Sequence, residues 1–250
     1  MSEARLFGAY ASWYDAFNQE KDYAAEADYL LRLTTALRPP PRSWLDLGCG
    51  TGQHLTTLQK AGMAVTGVDA SSEMIEQAQR RAPGSRFLAG RADEVRLAEQ
   101  FDVISMLFHV MSYIQEDDEI CRTLDNVREH LVPDGVFVFD FWHTGGVQRD
   151  PPSMRIREAL IGDRRLVRIA RPVEDRPRRR IDVNYEFRWD NAGGALAHRE
   201  VHRLRHFDPD ELGHFLGNAG LTVRTCNTWM RDEPLAADAW YGVIAAQRDR

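Results

Sequence analysis

Cysteine is scarce in this 250-residue chain, with only Cys49, Cys121 and Cys226. Their number is odd and their spacing wide, so they draw neither a disulfide framework nor a metal-ligand set. A reducing, cytoplasmic setting and no metal site are expected. Positive charge is also short: Asp and Glu number 38 against 32 Lys and Arg, a net charge of −6. No global basic field is left to hold nucleic acid or an anionic membrane. No apolar run is long enough to span a bilayer, and the N-terminus lacks an apolar signal core. Repeats and low-complexity tracts are missing as well. The expectation is a soluble protein with one domain and an elaboration, long enough to bury a substantial core.

What is present is organised around Trp44-Leu45-Asp46-Leu47-Gly48-Cys49-Gly50-Thr51-Gly52-Gln53-His54. An apolar run enters a loop with glycine at every second position, and a helix-compatible run from Gln53 to Gly62 follows. Glycine has no Cβ, so the turn can take otherwise forbidden dihedrals and a ligand can lie on bare backbone. The next strand candidate, Met63 to Val68, runs straight into Asp69. A carboxylate there can accept both hydroxyls of a ribose, as in nucleotide-binding βαβ units. The dinucleotide fingerprint needs a third glycine where Gln53 stands, and a P-loop needs Gly-Lys-Ser/Thr, which does not follow.

Further along, Lys21 to Leu37 reads as an amphipathic helix with Ala27, Leu30, Leu31, Thr34 and Leu37 on one stripe, stopped by Pro39-Pro40-Pro41. Ser71 or Ser72 can cap a helix that ends at Pro83-Gly84. Ser85–Ala89, Phe101–Leu107 and Val136–Phe141 read as strands three to five, the fifth entered through a turn at Pro133-Asp134-Gly135. Five strands alternating with helices imply a parallel sheet with its ligands at the strands' C-terminal ends. Residues 150–206 change to alternating apolar positions with turn signals at Gly162-Asp163, Asp175–Pro177 and Asn191–Gly194, an antiparallel meander. Asp208 to Ala219 returns to helix, and Leu221–Trp229 and Trp240–Ala246 read as the last two strands. The fold expected is α/β, a Rossmann-like, mostly parallel seven-stranded sheet with an inserted antiparallel β lobe. Its division is 1–149 with 207–250 for the main domain and 150–206 for the lobe.

The Asp46-Leu-Gly-Cys-Gly-Thr-Gly52 loop followed by Asp69 resembles motif I of class I S-adenosylmethionine (SAM) methyltransferases. The resemblance covers residues 7–143 and 207–247. It implies SAM as cofactor, with Asp46 near the methionine amino group and the crevice lined by Gly48, Cys49, Gly50, Gly52, His54, Asp69, Ala70, Met74, Met106 and Leu107. Tyr14-Asp15 resembles the Tyr-Asp of small-molecule members, which implies an aromatic N-terminal helix (Phe7, Tyr10, Trp13, Tyr14, Phe17) acting as a lid, with Tyr14 over the methionine end. The family usually shows Gly-Asp where Gly90-Arg91 stands, so recognition of the adenine amine passes to Asp93 or to backbone around Ala92. Tyr14-Asp15-Ala-Phe17, Lys21 to Ala27 and Gly50-Thr51-Gly52-x-His54-Leu55 are similar to N-methyltransferases of nucleotide-linked deoxyamino sugars, enzymes of antibiotic and surface-glycan pathways.

Methyl transfer from a sulfonium removes charge in the transition state, so the protein chiefly aligns two substrates and keeps the acceptor lone pair free. An amine has a pKa not far above neutrality and needs a weak base; a sugar hydroxyl needs a stronger one. His109, leaving the fourth strand, is the first base candidate, with Tyr14 and His143 as further catalytic candidates. Trp13, Trp142 and His143 can wall an acceptor. Arg155 and Arg157 can present paired guanidinium forks to a diphosphate. His198, His202, His206 and His214 read as surface or platform residues, and Arg176 to Arg180 as a solvated loop. Asp150-Pro151-Pro152 superficially resembles the box of DNA amino-methyltransferases but follows the wrong strand and lacks its aromatic. The expected partner is a small polar molecule, first a nucleotide-linked sugar amine; nucleic acid and membrane are not expected. An O-methyltransferase and a non-catalytic SAM-binding regulator stand as alternatives, and the oligomeric state stays open, a homodimer included.

Overall fold

The computed structural model describes residues 8–191 and 194–249. Phe7, one of the aromatics expected in the lid, lies outside them. The chain begins with helix α1 (Gly8–Phe17) and α2 (Tyr23–Thr35), the latter capped where Asp22 accepts from the Ala25 N–H at 2.9 Å. The alternating part follows as β1 (Ser43–Leu47), α3 (Gln53–Lys60), β2 (Ala64–Asp69), α4 (Ser72–Arg81), β3 (Arg86–Ala89) and β4 (Phe101–Met106). A single helical turn α5 (Val110–Tyr113), then α6 (Asp117–His130) and β5 (Leu131–Trp142), complete it. After the short helix α7 (Thr144–Arg149) come β6 (Arg155–Ile161), β7 (Arg164–Asp175), β8 (Arg180–Asn191) and β9 (Gly194–Arg205). The chain closes with α8 (Pro209–Asn218), β10 (Leu221–Thr228) and β11 (Tyr241–Arg248).

Seven strands form one sheet in the order β10-β11-β5-β4-β1-β2-β3, parallel except for β11 against β5 and β10 against β11. Strand alternation divides its side chains between two cores. Trp44, Val65, Val103, Val136, Val138, Val243 and Ala245 face α2, α3 and α4. Leu45, Leu47, Ile104, Met106, Phe137, Phe139 and Ile244 face α5, α6 and α8. Both faces are covered, which is why these strands read as continuous apolar runs. Trp44 is fully buried, and its indole N–H donates to Ser105 Oγ at 2.8 Å, so its polar edge is satisfied.

The other four strands make a separate antiparallel sheet, β6-β7-β8-β9, with turns where the glycine and proline signals lie. One of its faces takes α1: Phe17, Trp13 and Tyr14 pack with Ala159, Leu166, Phe187 and Trp189. Another part packs Ile181, Val183 and Leu204 on Val147, Tyr113, Trp142 and Trp240. Two details depart from expectation. Pro133-Asp134-Gly135 is no separate turn but an irregularity inside β5, where the pairing with β4 shifts from Leu131 to Val136 and Asp134 takes φ +61°. Helix α7 was not anticipated. No helix of the described residues is long and apolar enough to cross a membrane.

Candidate active site

The C-terminal ends of β1, β2, β4 and β5 open into a cleft of about 960 Å³ that continues under the antiparallel sheet. The glycine loop is its floor. Gly48 (φ +80°) has no room for a side chain, because a Cβ would stand 2.5 Å from a Val110 methyl. Gly50 (φ +54°) has nothing within 4 Å of its Cβ position, so bare backbone faces the opening. Gly52 (φ +74°) sits differently: a Cβ there would stand 3.1 Å from Ala78 and 3.3 Å from the Phe87 ring, at the start of α3 behind the cleft wall.

Two buried carboxylates frame this loop. Asp69, at the end of β2, accepts from the Gly50 N–H and the Ser71 N–H, each at 2.8 Å, which fixes both the loop and the start of α4. Burial pushes its carboxyl above the ordinary value, and those two bonds work against the rise. Asp46, at 2% exposure, accepts from Ser105 Oγ at 2.6 Å. Burial pushes its carboxyl up to about 7, with the charges of Asp69 and Asp140 adding to the rise. Lys21, which lines the same cleft, works against the rise, and no arginine or lysine among the described residues forms an ion pair with Asp46, so a buried acid of this kind suits a cationic ligand. An open backbone cradle, a ribose-height carboxylate and an acid suited to an ammonium together fit SAM.

Around them, Cys49, Ala70, Met74, Met106 and Leu107 line the cleft as expected, and so does Tyr14, its ring edge-on to Phe108 at 6.1 Å. His54 lines it too but is held inward. Its Nε2 lies 2.6 Å from Glu26, burial lowers its basicity, and Lys21 reaches the same carboxylate at 3.1 Å. Asp93 faces the cleft with its oxygens already taken by Arg91 at 3.0 Å and Arg122 at 3.2 Å. The slot taken by Arg91 therefore neutralises the neighbouring acid, and the carbonyl of Ala92 is tied to Asn126 at 2.7 Å.

His109 stands over the cleft on a loop where both Phe108 and His109 take positive φ, +63° and +66°. Such dihedrals are costly for bulky residues, and here a fixed anchor holds them. The His109 N–H donates to the Asp140 carboxylate, and its Nδ1 lies 2.5 Å from Asp140 Oδ2. Burial alone would raise the Asp140 carboxyl, but the His109 imidazole and N–H hold it below its ordinary value. The ring stacks on Tyr241 with centroids 4.8 Å apart.

Trp142, Arg155 and Arg157 line the cleft, but Trp13 and His143 do not. Trp13 turns to Trp189 and Phe187 of the antiparallel sheet, centroids 4.9 and 5.4 Å away. Asp140 and Trp142 share one face of β5, so His143 falls on the opposite parity. It sits buried with its Nδ1 2.9 Å from the Ala239 carbonyl. His202 is not a surface residue: it is 1% exposed and faces Tyr113. The sequence reading passed over Lys21, Tyr113, Arg168, Tyr185 and Tyr241, all of which line the cleft. Only the position of Tyr241 at the opening of the last strand, beside a parallel strand's end, could have signalled one of them.

Residues 45–135 match the profile of a methyltransferase domain. The chain is 30% identical over 224 residues to the dTDP-4-amino-2,3,4,6-tetradeoxy-D-glucose N,N-dimethyltransferase of Saccharopolyspora spinosa, covering 85% of each chain. It is 28% identical over 223 residues to the dTDP-3-amino-3,6-dideoxy-alpha-D-glucopyranose N,N-dimethyltransferase of Streptomyces fradiae, covering 88% of this chain and 87% of the relative. Among solved structures, a sugar N-methyltransferase from Streptoalloteichus superposes with a TM-score of 0.83 at 24% identity, over 96% of this chain and 93% of that one. The chain belongs to the class I S-adenosylmethionine-dependent methyltransferases, and SAM is its cofactor.

Proposed function

We propose that the chain transfers methyl groups to the amino group of a nucleotide-linked deoxyamino sugar. In this reading residues 1–149 and 207–250 hold SAM, with α1 as the lid, and residues 150–206 hold the acceptor. SAM supplies a methyl on a positively charged sulfur. The protein's share is to bind, align and keep water out. Asp69 accepts from the ribose hydroxyls, Asp46 from the methionine ammonium, and Tyr14 closes over the sulfonium end. Trp142 and Tyr241 wall the sugar.

The observation that carries the reading is the arginine pattern of the antiparallel sheet. Arg165, Arg171, Arg176, Arg178, Arg179, Arg180, Arg188, Arg199, Arg203 and Arg205 each stand within ion-pair distance of an acid. Arg155 and Arg157, which line the cleft, meet no acid within that distance among the described residues. Two guanidinium groups at alternate positions on one face of β6 suit a diphosphate. The relatives from S. fradiae and S. spinosa carry dTDP-amino sugars in their names, which supports the same class.

The test is methyl transfer from labelled SAM to dTDP-3-amino-3,6-dideoxyglucose. Turnover with a KM that rises about tenfold or more in the Arg155→Ala, Arg157→Ala double variant, and an unchanged SAM affinity, is expected for loss of two charge-assisted phosphate contacts. The same KM for the nucleotide-linked substrate in both proteins refutes the diphosphate assignment. A second reading, O-methylation of a sugar or other natural product, is favoured by the Asp140-anchored His109, which is the type of base a hydroxyl needs. Transfer to the hydroxyl analogue and none to the amine would establish it.

A further inference from the structure

SAM ends in an α-amino acid, so its cleft has to meet an ammonium and a carboxylate side by side. Asp46 suits the ammonium; the carboxylate calls for a cationic donor close by. Lys21, on the joint between α1 and α2, lines the cleft together with Asp46, Gly48 and His54. Its charge works against the raised carboxyl of Asp46 and helps to lower that of Asp140, which sets its ammonium at this end of the cleft. Arg155 and Arg157 lie elsewhere, on β6 of the antiparallel sheet, and Arg91 is tied to Asp93 and Glu119 at the loop after β3.

A lysine between two helices ordinarily leaves its ammonium in water, because burying that charge is costly. Lys21 turns inward instead. Its side chain is 14% exposed, and Nζ lies 3.6 Å from the centroid of the Phe108 ring. That ring is placed by a backbone with φ +63° at Phe108, a costly conformation for an aromatic residue. Glu26 of α2 supplies an anion 3.1 Å from Nζ, through the same Oε2 that lies 2.6 Å from His54 Nε2. Burial holds His54 below its ordinary value, so at neutral pH it is an uncharged imidazole that donates Nε2–H to Glu26. An ammonium carries three N–H groups. Glu26 takes one and the Phe108 face another, which aims the third into the cleft.

We propose that Lys21, set in place by Glu26 and Phe108, binds the methionine carboxylate of SAM and makes the cleft selective for adenosyl compounds that carry a whole α-amino acid. Asp46 and Lys21 then answer the two charges of one zwitterion. This rests on SAM as the cofactor and is independent of which acceptor is methylated. Lys21 is a binding residue; Glu26 and Phe108 position it. Because Lys21 follows Phe17 by four residues, a carboxylate held there also ties the α1–α2 joint to the cofactor.

The test is titration calorimetry at pH 7.5 of SAM and of its decarboxylated form, S-adenosyl-3-methylthiopropylamine, with the wild type, Lys21→Met and Lys21→Arg. Both ligands share the adenosine, the sulfonium and an ammonium, so any change at Asp46 on loss of Lys21 acts on both, and the ratio of their affinities isolates the carboxylate. The wild type is expected to prefer SAM by about tenfold or more, as for a charge-assisted contact. In Lys21→Met the preference should shrink to within about threefold, because SAM loses the contact while its analogue, a dication, loses a repulsion. Lys21→Arg should keep the preference, and Lys21→Gln gives the same reading as Lys21→Met if the latter does not fold. Equal affinity of the wild type for the two ligands overturns the proposal without any variant. A loss shared equally by both ligands in Lys21→Met marks a structural role and overturns it too, as does a preference that survives there undiminished.

Discussion

Asp46 is the residue whose charge state should govern SAM binding near neutrality. Burial lifts its carboxyl from an ordinary 3.8 to about 7, while the Ser105 hydrogen bond restrains the rise and Asp69 and Asp140 add to it. The methionine ammonium needs the anion, so below pH 7 binding must expel a proton. The apparent Kd is then expected to rise about fivefold from pH 7 to pH 6, and about tenfold for each further pH unit. Titration calorimetry between pH 5.5 and 7 avoids the ionisation of the ligand's own α-amino group, which lies near pH 8. The heat should depend on the buffer's ionisation enthalpy over the same range. Asp46→Asn should bind more weakly at pH 7 but lose most of this slope. Stability supplies a second reading. An acid whose folded-state value is raised stabilises fully below the unfolded value and loses that contribution as pH rises through about 7. Asp46→Asn should therefore melt higher than the wild type at pH 8 in the absence of SAM, by up to about 4 kcal/mol at roughly 1.4 kcal/mol per pH unit. Asp69 remains in the variant, so a small residual slope traces to it. A variant slope equal to that of the wild type refutes the assignment of Asp46.

Asp69→Ala should weaken SAM binding by about tenfold or more through lost ribose bonds and a released Gly50; calorimetric affinity near that of the wild type excludes the ribose role. His109→Ala should slow turnover by about a hundredfold if it serves as base while SAM affinity holds, and Asp140→Asn should follow it in the same direction. Unchanged turnover with the acceptor that is methylated makes His109 a structural residue.

The sheet was legible because its strands are covered on both faces and its glycines sit where the backbone turns. Gly48-Cys49-Gly50 and Asp69 could be placed from spacing alone, since period-two strands fix which end of each strand carries a loop. The antiparallel sheet was legible from turn chemistry at Gly162 and Asn191. The lining contributed from a distance was harder to read. Whether His143 or Asp140 meets the cleft depends on strand parity at the end of β5, and α7 takes the chain away one residue after Trp142. Trp13 and Tyr14 are neighbours on α1, and a helix turns adjacent residues to different partners. The buried state of His202 depends on Tyr113, 89 residues earlier. No local pattern encodes a pairing across that separation.

The first helix is tied to the body by its packing and by the Gln77 amide, which donates to the Ala11 carbonyl at 2.6 Å, and one carboxylate makes the link nearest the glycine loop. Asp15 accepts from Thr51 Oγ1 at 2.7 Å, at the glycine loop, and from the guanidinium of Arg81 on α4. The same short segment sends Tyr14 into the cleft and Phe17 into the antiparallel sheet. Loosening that link would thus disturb the cleft lining at Tyr14 and the packing on the antiparallel sheet at Phe17 together. If α1 is a lid, the order in which two molecules arrive and both products depart then depends in part on a side chain that does not itself line the cleft.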